Sequence, residues 1–132
     1  MGEKKEFFDF RNVKSVQKSK DGVWMDILCD DEPTGIRMKV VGSYSDEFKK
    51  FQKKLQNMAK KRRDGNLSTA DAEKAALEML VYCVVDWEGI SLDGKAESPC
   101  NDENKRAFFT TEDIEWAALQ VTEFISDKSN FF

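Results

Sequence analysis

Residues 81–104, VYCVVDWEGISLDGKAESPCNDEN, carry an apolar run, an Asp-Trp-Glu-Gly break, an Asp-Gly turn and a helix start in direct succession. The apolar run over residues 79–85 must be buried. Gly89 and Gly94 can adopt the positive φ that ends a helix and turns a corner. The chain on either side is therefore expected to pack around this corner.

Upstream, Leu67-Ser68-Thr69-Ala70-Asp71 supplies a hydroxyl cap and an acidic first turn. Ala72, Ala75, Ala76, Met79, Leu80, Cys83 and Val84 follow at helical spacing, small residues first, with Leu77, Val81 and Val85 widening the stripe. The spacing predicts a helix that runs through Val85 and stops at Asp86-Trp87-Glu88-Gly89. Two carboxylates flanking an indole are compatible with an acid–base or metal pair. No further acid stands at a defined spacing, so Trp87 is read as filling the corner, with Asp86 and Glu88 bonding turn amides or facing water.

Downstream, residues 90–98 read as a loop with a turn at Asp93-Gly94. Asn101-Asp102-Glu103 is an N-cap with two acids in the first turn, where the helix dipole favours them. This short helix brings Ala107, Phe108 and Phe109 inward. Thr110-Thr111-Glu112-Asp113 opens the last helix, whose stripe is Ile114, Ala117, Ala118, Val121, Phe124 and Ile125. Trp116 and Leu119 lie at its margins, giving an apolar surface wide enough for both core and partner.

Toward the N-terminus, Gly22-Val23-Trp24-Met25-Asp26-Ile27-Leu28-Cys29 is a strand, and Ile36-Arg37-Met38-Lys39-Val40-Val41 alternates with period two. The acidic segment between them, with Pro33 and Gly35, reads as the hairpin loop. A lone hairpin is marginal in water, so its Ile36, Met38 and Val40 face should cover helices. Residues 1–20 carry Phe7, Phe8 and Phe10 and read as an arm or helix that either docks or orders on a partner.

Ser43-Tyr44-Ser45-Asp46 starts the first long helix, with Phe48, Phe51, Leu55 and Met58 as one stripe. Its other faces hold eight Lys and Arg with no acid over residues 49–63, whereas the rest of the chain carries 13 basic against 25 acidic residues. One reading is a nucleic-acid-binding helix; the other is a solvated face attracted to acidic protein. The overall acidic balance, pI about 5.0, favours the second, because nucleic-acid-binding domains are commonly basic.

The chain has 132 residues, 40% of them hydrophobic, which is enough to bury one core. A single domain over 1–132 is expected: arm 1–20, hairpin 22–41, helical region 44–127 and tail 128–132. The fold class is α+β, mainly α. Cys29, Cys83 and Cys100 are odd in number and form no disulfide framework, which points to a reducing, cytoplasmic compartment. No stretch has membrane-span length or signal-peptide character. The chain contains no histidine, which removes Ser-His, Cys-His and His-metal chemistry. No enzyme activity, cofactor or metal is expected.

The pattern Val84-Val85-Asp86-Trp87-Glu88-Gly89-Ile90, then Asp93-Gly94-Lys95, then Pro99-Cys100-Asn101-Asp102-Glu103-Asn104 before an apolar pair resembles the tail assembly chaperones of long-tailed (siphovirus-type) bacteriophages and prophages. Members often show Tyr-Ser-Pro before the Glu-Asn pair; this chain has Cys100-Asn101-Asp102 and keeps Pro99, Glu103 and Asn104. The resemblance implies a protein of the infected cytoplasm, absent from the mature virion. Such a protein binds the tape-measure protein and keeps it soluble until the tail tube polymerises. In relatives a frameshifted longer form also recruits the major tail-tube protein.

The charge pattern nominates Lys49, Lys53, Lys60 and Arg63 as partner-binding residues, with the terminal Phe131 and Phe132 as a second patch. The alternative function is a small nucleic-acid-binding regulator using residues 49–63. Homo-oligomerisation through helix faces stays open, since an apolar stripe facing a core looks the same as one facing a neighbour.

Overall fold

In a computed structural model, described over residues 15–60 and 68–131, a three-stranded antiparallel sheet packs against helices. The elements are α1 (Ser15–Asp21), β1 (Val23–Cys29), β2 (Glu32–Val40), α2 (Asp46–Lys60), α3 (Thr69–Cys83), β3 (Val84–Glu88), α4 (Asp102–Phe109) and α5 (Glu115–Ser126). A 3-10 turn, Glu112–Ile114, leads into α5, and a second one, Lys128–Phe131, follows it. The α+β, mainly α class is as the sequence indicates. No helix among the described residues is long and apolar enough to cross a membrane.

The segment around Trp87 departs from expectation. The helix α3 ends at Cys83, and Val84–Glu88 is a strand that pairs with β2, so the hairpin is not alone and the helical region is interrupted. Two consecutive β-branched residues favour extended backbone, and β2 offers an edge to pair with. Val84 and Trp87 are three apart, which in a regular strand would place them on opposite faces. The register slips at Val85: Lys39 lies opposite Asp86 but Val40 opposite Val84. This bulge lets Val84 and Trp87 both point inward, at 0% and 4% exposure.

The central strand β2 shows the alternation read from its sequence. Met38 and Val40 are buried, as are Met25 and Ile27 of β1. On the other face Arg37 stands opposite Asp26 of β1 and Glu88 of β3 and pairs with both, at 3.3 and 3.6 Å. Its guanidinium also lies over the Trp24 ring. The hairpin turn is tighter than expected. Asp30 and Asp31, with φ of 52° and 65°, form it, and Pro33 and Gly35 belong to β2. Asp is among the few residues that tolerate this region.

Gly89 has φ of 79°, and a Cβ there would run into the Gly35 carbonyl oxygen. Only glycine fits between β3 and β2 at this point. Behind it, the Trp87 indole Nε1 donates to Ser98 O at 2.7 Å and its ring meets Phe108 edge-on at 5.7 Å. Trp87 thus ties the strand, the 89–98 loop and α4 together, as the corner reading required. Asp86 accepts from the Trp87 amide at 2.8 Å.

The starts of α2, α3 and α4 are capped as read, but that of α5 is not: the Thr110 and Thr111 hydroxyls donate back to Arg106 O and Ala107 O of α4, and no described side chain caps the turn or helix that follows. Ser68 accepts from Asp71 N and Asn101 from Asn104 N. Buried Ser45 accepts from Phe48 N at 3.1 Å while donating to Gly42 O at 2.6 Å. On α5, Gln120 bonds both backbone groups of Leu28, at 2.9 and 2.6 Å, and so covers the open edge of β1.

Candidate functional site

The residues nominated from charge fall into three groups. Lys49, Lys53 and Lys60 share one solvent face of α2, as positions i, i+4 and i+11 must on a helix, and all three are exposed. None of them makes an ion pair among the described residues. Arg63 and Phe132 lie outside the described residues. Phe131 is 4% exposed, enclosed by Gly42 and by Phe124, whose ring it meets edge-on at 5.7 Å. In this fold it belongs to the core and not to a surface patch.

The opposite flank of α2 turns toward α3 through charge. Glu78, in the middle of α3, is 3% exposed. The Arg106 guanidinium of α4 grips it at 2.6 and 3.1 Å, and Lys54 of α2 reaches it at 3.0 Å. The Arg106 hydrogen bond holds the Glu78 carboxyl well down, at about 2, against an opposing push from burial. Arg106 is correspondingly raised by Glu78. This cluster joins three helices, and a buried glutamate amid apolar neighbours left little sign in the sequence.

Lys105 is the second charge taken inside. Its ammonium donates to Val81 O at 2.6 Å and Val84 O at 2.9 Å. These carbonyls sit where α3 gives way to β3, and a helix end leaves its last carbonyls without intrahelical partners. Lys105 therefore fixes the helix-to-strand switch. Ala107, expected inside, is exposed instead.

Among the described residues nothing covers the other side of α3. An apolar groove of about 900 Å³ runs between α3 and α5, with Leu80 and Phe109 on its floor and Leu77, Trp116, Ala118 and Leu119 along its walls. Leu119 is 58% exposed, the most exposed large apolar side chain described. Trp116 is half-buried, its indole held by Asp113 O at 2.7 Å. Trp116 and Leu119 at the margins of the α5 stripe are the sequence signal for this groove. The matching wall from Ala76 and Leu77 of α3 is not separable in sequence from core.

No protein-family profile, curated protein or solved structure matches this chain. Among the described residues no group of three His, Cys, Asp or Glu side chains converges as metal ligands. Burial pushes the Cys83 thiol up to about 12 and raises Cys100 as well, so both stay protonated near neutrality and neither is primed as a nucleophile. The arrangement offers two surfaces suited to association: the α2 lysine face and the apolar groove.

Proposed function

We propose that this protein is a tail assembly chaperone of a long-tailed bacteriophage or prophage. It binds the tape-measure protein in the host cytoplasm and keeps it soluble until tail-tube polymerisation displaces it. It is an interaction protein without catalysis, and the tail-tube protein is a further partner through a frameshifted longer form. The observation that carries the reading is the open α3–α5 groove. An amphipathic helix is the usual occupant of an apolar groove between helices. The resemblance of the motif block around Trp87 and Asn101 supports the family, and the groove offers a means of binding.

Co-expression with the reading frame immediately downstream tests this. A soluble complex with a large, coiled-coil-rich protein that otherwise precipitates, seen by pull-down and light scattering, is the expected result. Failure of the two to associate overturns it.

A second reading is a small nucleic-acid-binding regulator that uses residues 49–63. It is favoured by the shared face of Lys49, Lys53 and Lys60, which has no ion pair among the described residues. It requires DNA or RNA affinity that falls steeply with salt and collapses in a Lys49→Glu, Lys53→Glu variant. Retained binding in that variant removes this reading.

A further inference from the structure

The groove has a charge signature as well as a shape. Glu73 and Glu115 stand in its walls, and Glu112, Asp113 and Glu123 lie on the segments that continue the α5 wall. All five are exposed, and none has an ion-pair partner among the described residues. Among the described residues Lys74 is the only base lining the groove. Apolar floor and acidic rim together select the occupant.

We infer that the α3–α5 groove takes an amphipathic helix from a different protein, one whose leucine-type ridge is flanked by Lys or Arg. This rests on reading the groove as the interaction surface of the proposed chaperone, and it specifies the chemistry of the segment bound there. Apolar residues at i, i+3, i+4 and i+7 fill the channel over Leu80 and Phe109. Basic side chains beside that ridge then meet Glu73 and Glu115 at the rim, where complementary charge sets specificity and the rate of encounter.

A second copy of this chain is a poor occupant. Two grooves facing each other across a twofold axis would bring the same acidic rims together. The exposed face of α2, the basic helix, presents Lys49, Gln52, Lys53, Gln56 and Lys60, with no apolar ridge to insert. On α5, Ala117, Val121 and Ile125 turn inward, and the exposed Val16 of α1 is followed by Gln17 and Lys18 and makes no ridge.

The test is an NMR titration of the isotope-labelled full chain with two designed helical peptides. They share one leucine ridge and differ in Lys or Glu flanks. The Lys-flanked peptide is expected to move the Trp116 indole resonance and the Leu77 and Leu119 amides. It should bind at least about tenfold more tightly than the Glu-flanked one and weaken several-fold between about 50 and 300 mM salt. Leu119→Asp should abolish the shifts while leaving the Met38 and Trp87 resonances in place; Ala76→Asp, on the other wall, is the second variant should the first not fold.

Equal binding of both peptides, no binding at all, or shifts confined to Lys49 and Lys53 would overturn the assignment. Co-expression separates this from the broader reading. A complex with the downstream product that survives Leu119→Asp leaves the chaperone and removes the groove as its site. Absence of any complex in the unaltered protein removes the chaperone, and the peptide titration still decides the groove.

Discussion

Leu77 and Glu78 are neighbours on α3, yet the charged residue is the more deeply buried: Leu77 is partly buried, whereas Glu78 is 3% exposed. The side of α3 that carries Glu78 is closed by α2 and α4, which bring Lys54 and Arg106 to the carboxylate. The side that carries Leu77 faces α5 across an open groove. Burial in this protein thus follows what packs opposite each residue more than the residue's own polarity. A charge goes inside where two cations arrive to meet it, and an apolar side chain such as Leu119 stays out where no described element covers it.

The contrast can be broken most severely at Glu78. Glu78→Ala leaves Arg106 and Lys54 around an apolar gap, and a loss of about 3 kcal/mol is expected in urea or thermal unfolding. The same contact sets the acid response. With the folded Glu78 carboxyl near 2 and the unfolded one near 4.5, its contribution is fully present above about pH 4.5 and drains away as pH falls toward 2. Because Arg106 and Lys54 are themselves about 40% exposed, that contribution is on the order of 2 kcal/mol after allowing for solvent screening. Glu78→Gln should therefore flatten the stability profile across this window, and an unchanged slope would show that other carboxyls govern it.

Lys105→Met examines the closed side at the switch. It removes the ammonium from Val81 O and Val84 O and is expected to cost about 1–2 kcal/mol. Faster amide exchange in β3 should accompany it, with α5 unaffected. The smallest effect belongs to the open side. Leu119→Asp should change stability by no more than about 0.5 kcal/mol, because Leu119 is already in water, while removing helix binding in the groove. A large loss of stability there would mean that the groove is core.

The same two sides mark how far the sequence could be read. The strand alternation of β2, the caps at Ser45, Ser68 and Asn101, the inward Trp87 and the positive φ at Gly89 were all legible, because each rests on neighbours within a few residues. Apart from the two-residue turn at Asp30 and Asp31 and the uncapped start of α5, the missed features are long-range. Val84 and Val85 continue a helical stripe as well as they begin a strand, and the β2 edge decides between them. Ala107 and Lys105 exchange inside and outside because Lys105 finds carbonyls from another element. Phe131 reads as a sticky end but finds Phe124 and Gly42.

By itself, then, the sequence determined the α+β class, the places where α2, α3 and α4 begin, the lysine face of α2 and the absence of histidine chemistry. Local sterics, backbone hydrogen bonding and composition suffice for these. Only the tertiary structure decided that Val84–Glu88 is a third strand, that Glu78 and Lys105 lie inside, and that α3 and α5 leave a groove between them. Each depends on what stands on the far side of a contact. The free energy of burying a side chain is a property of the pair and not of the residue.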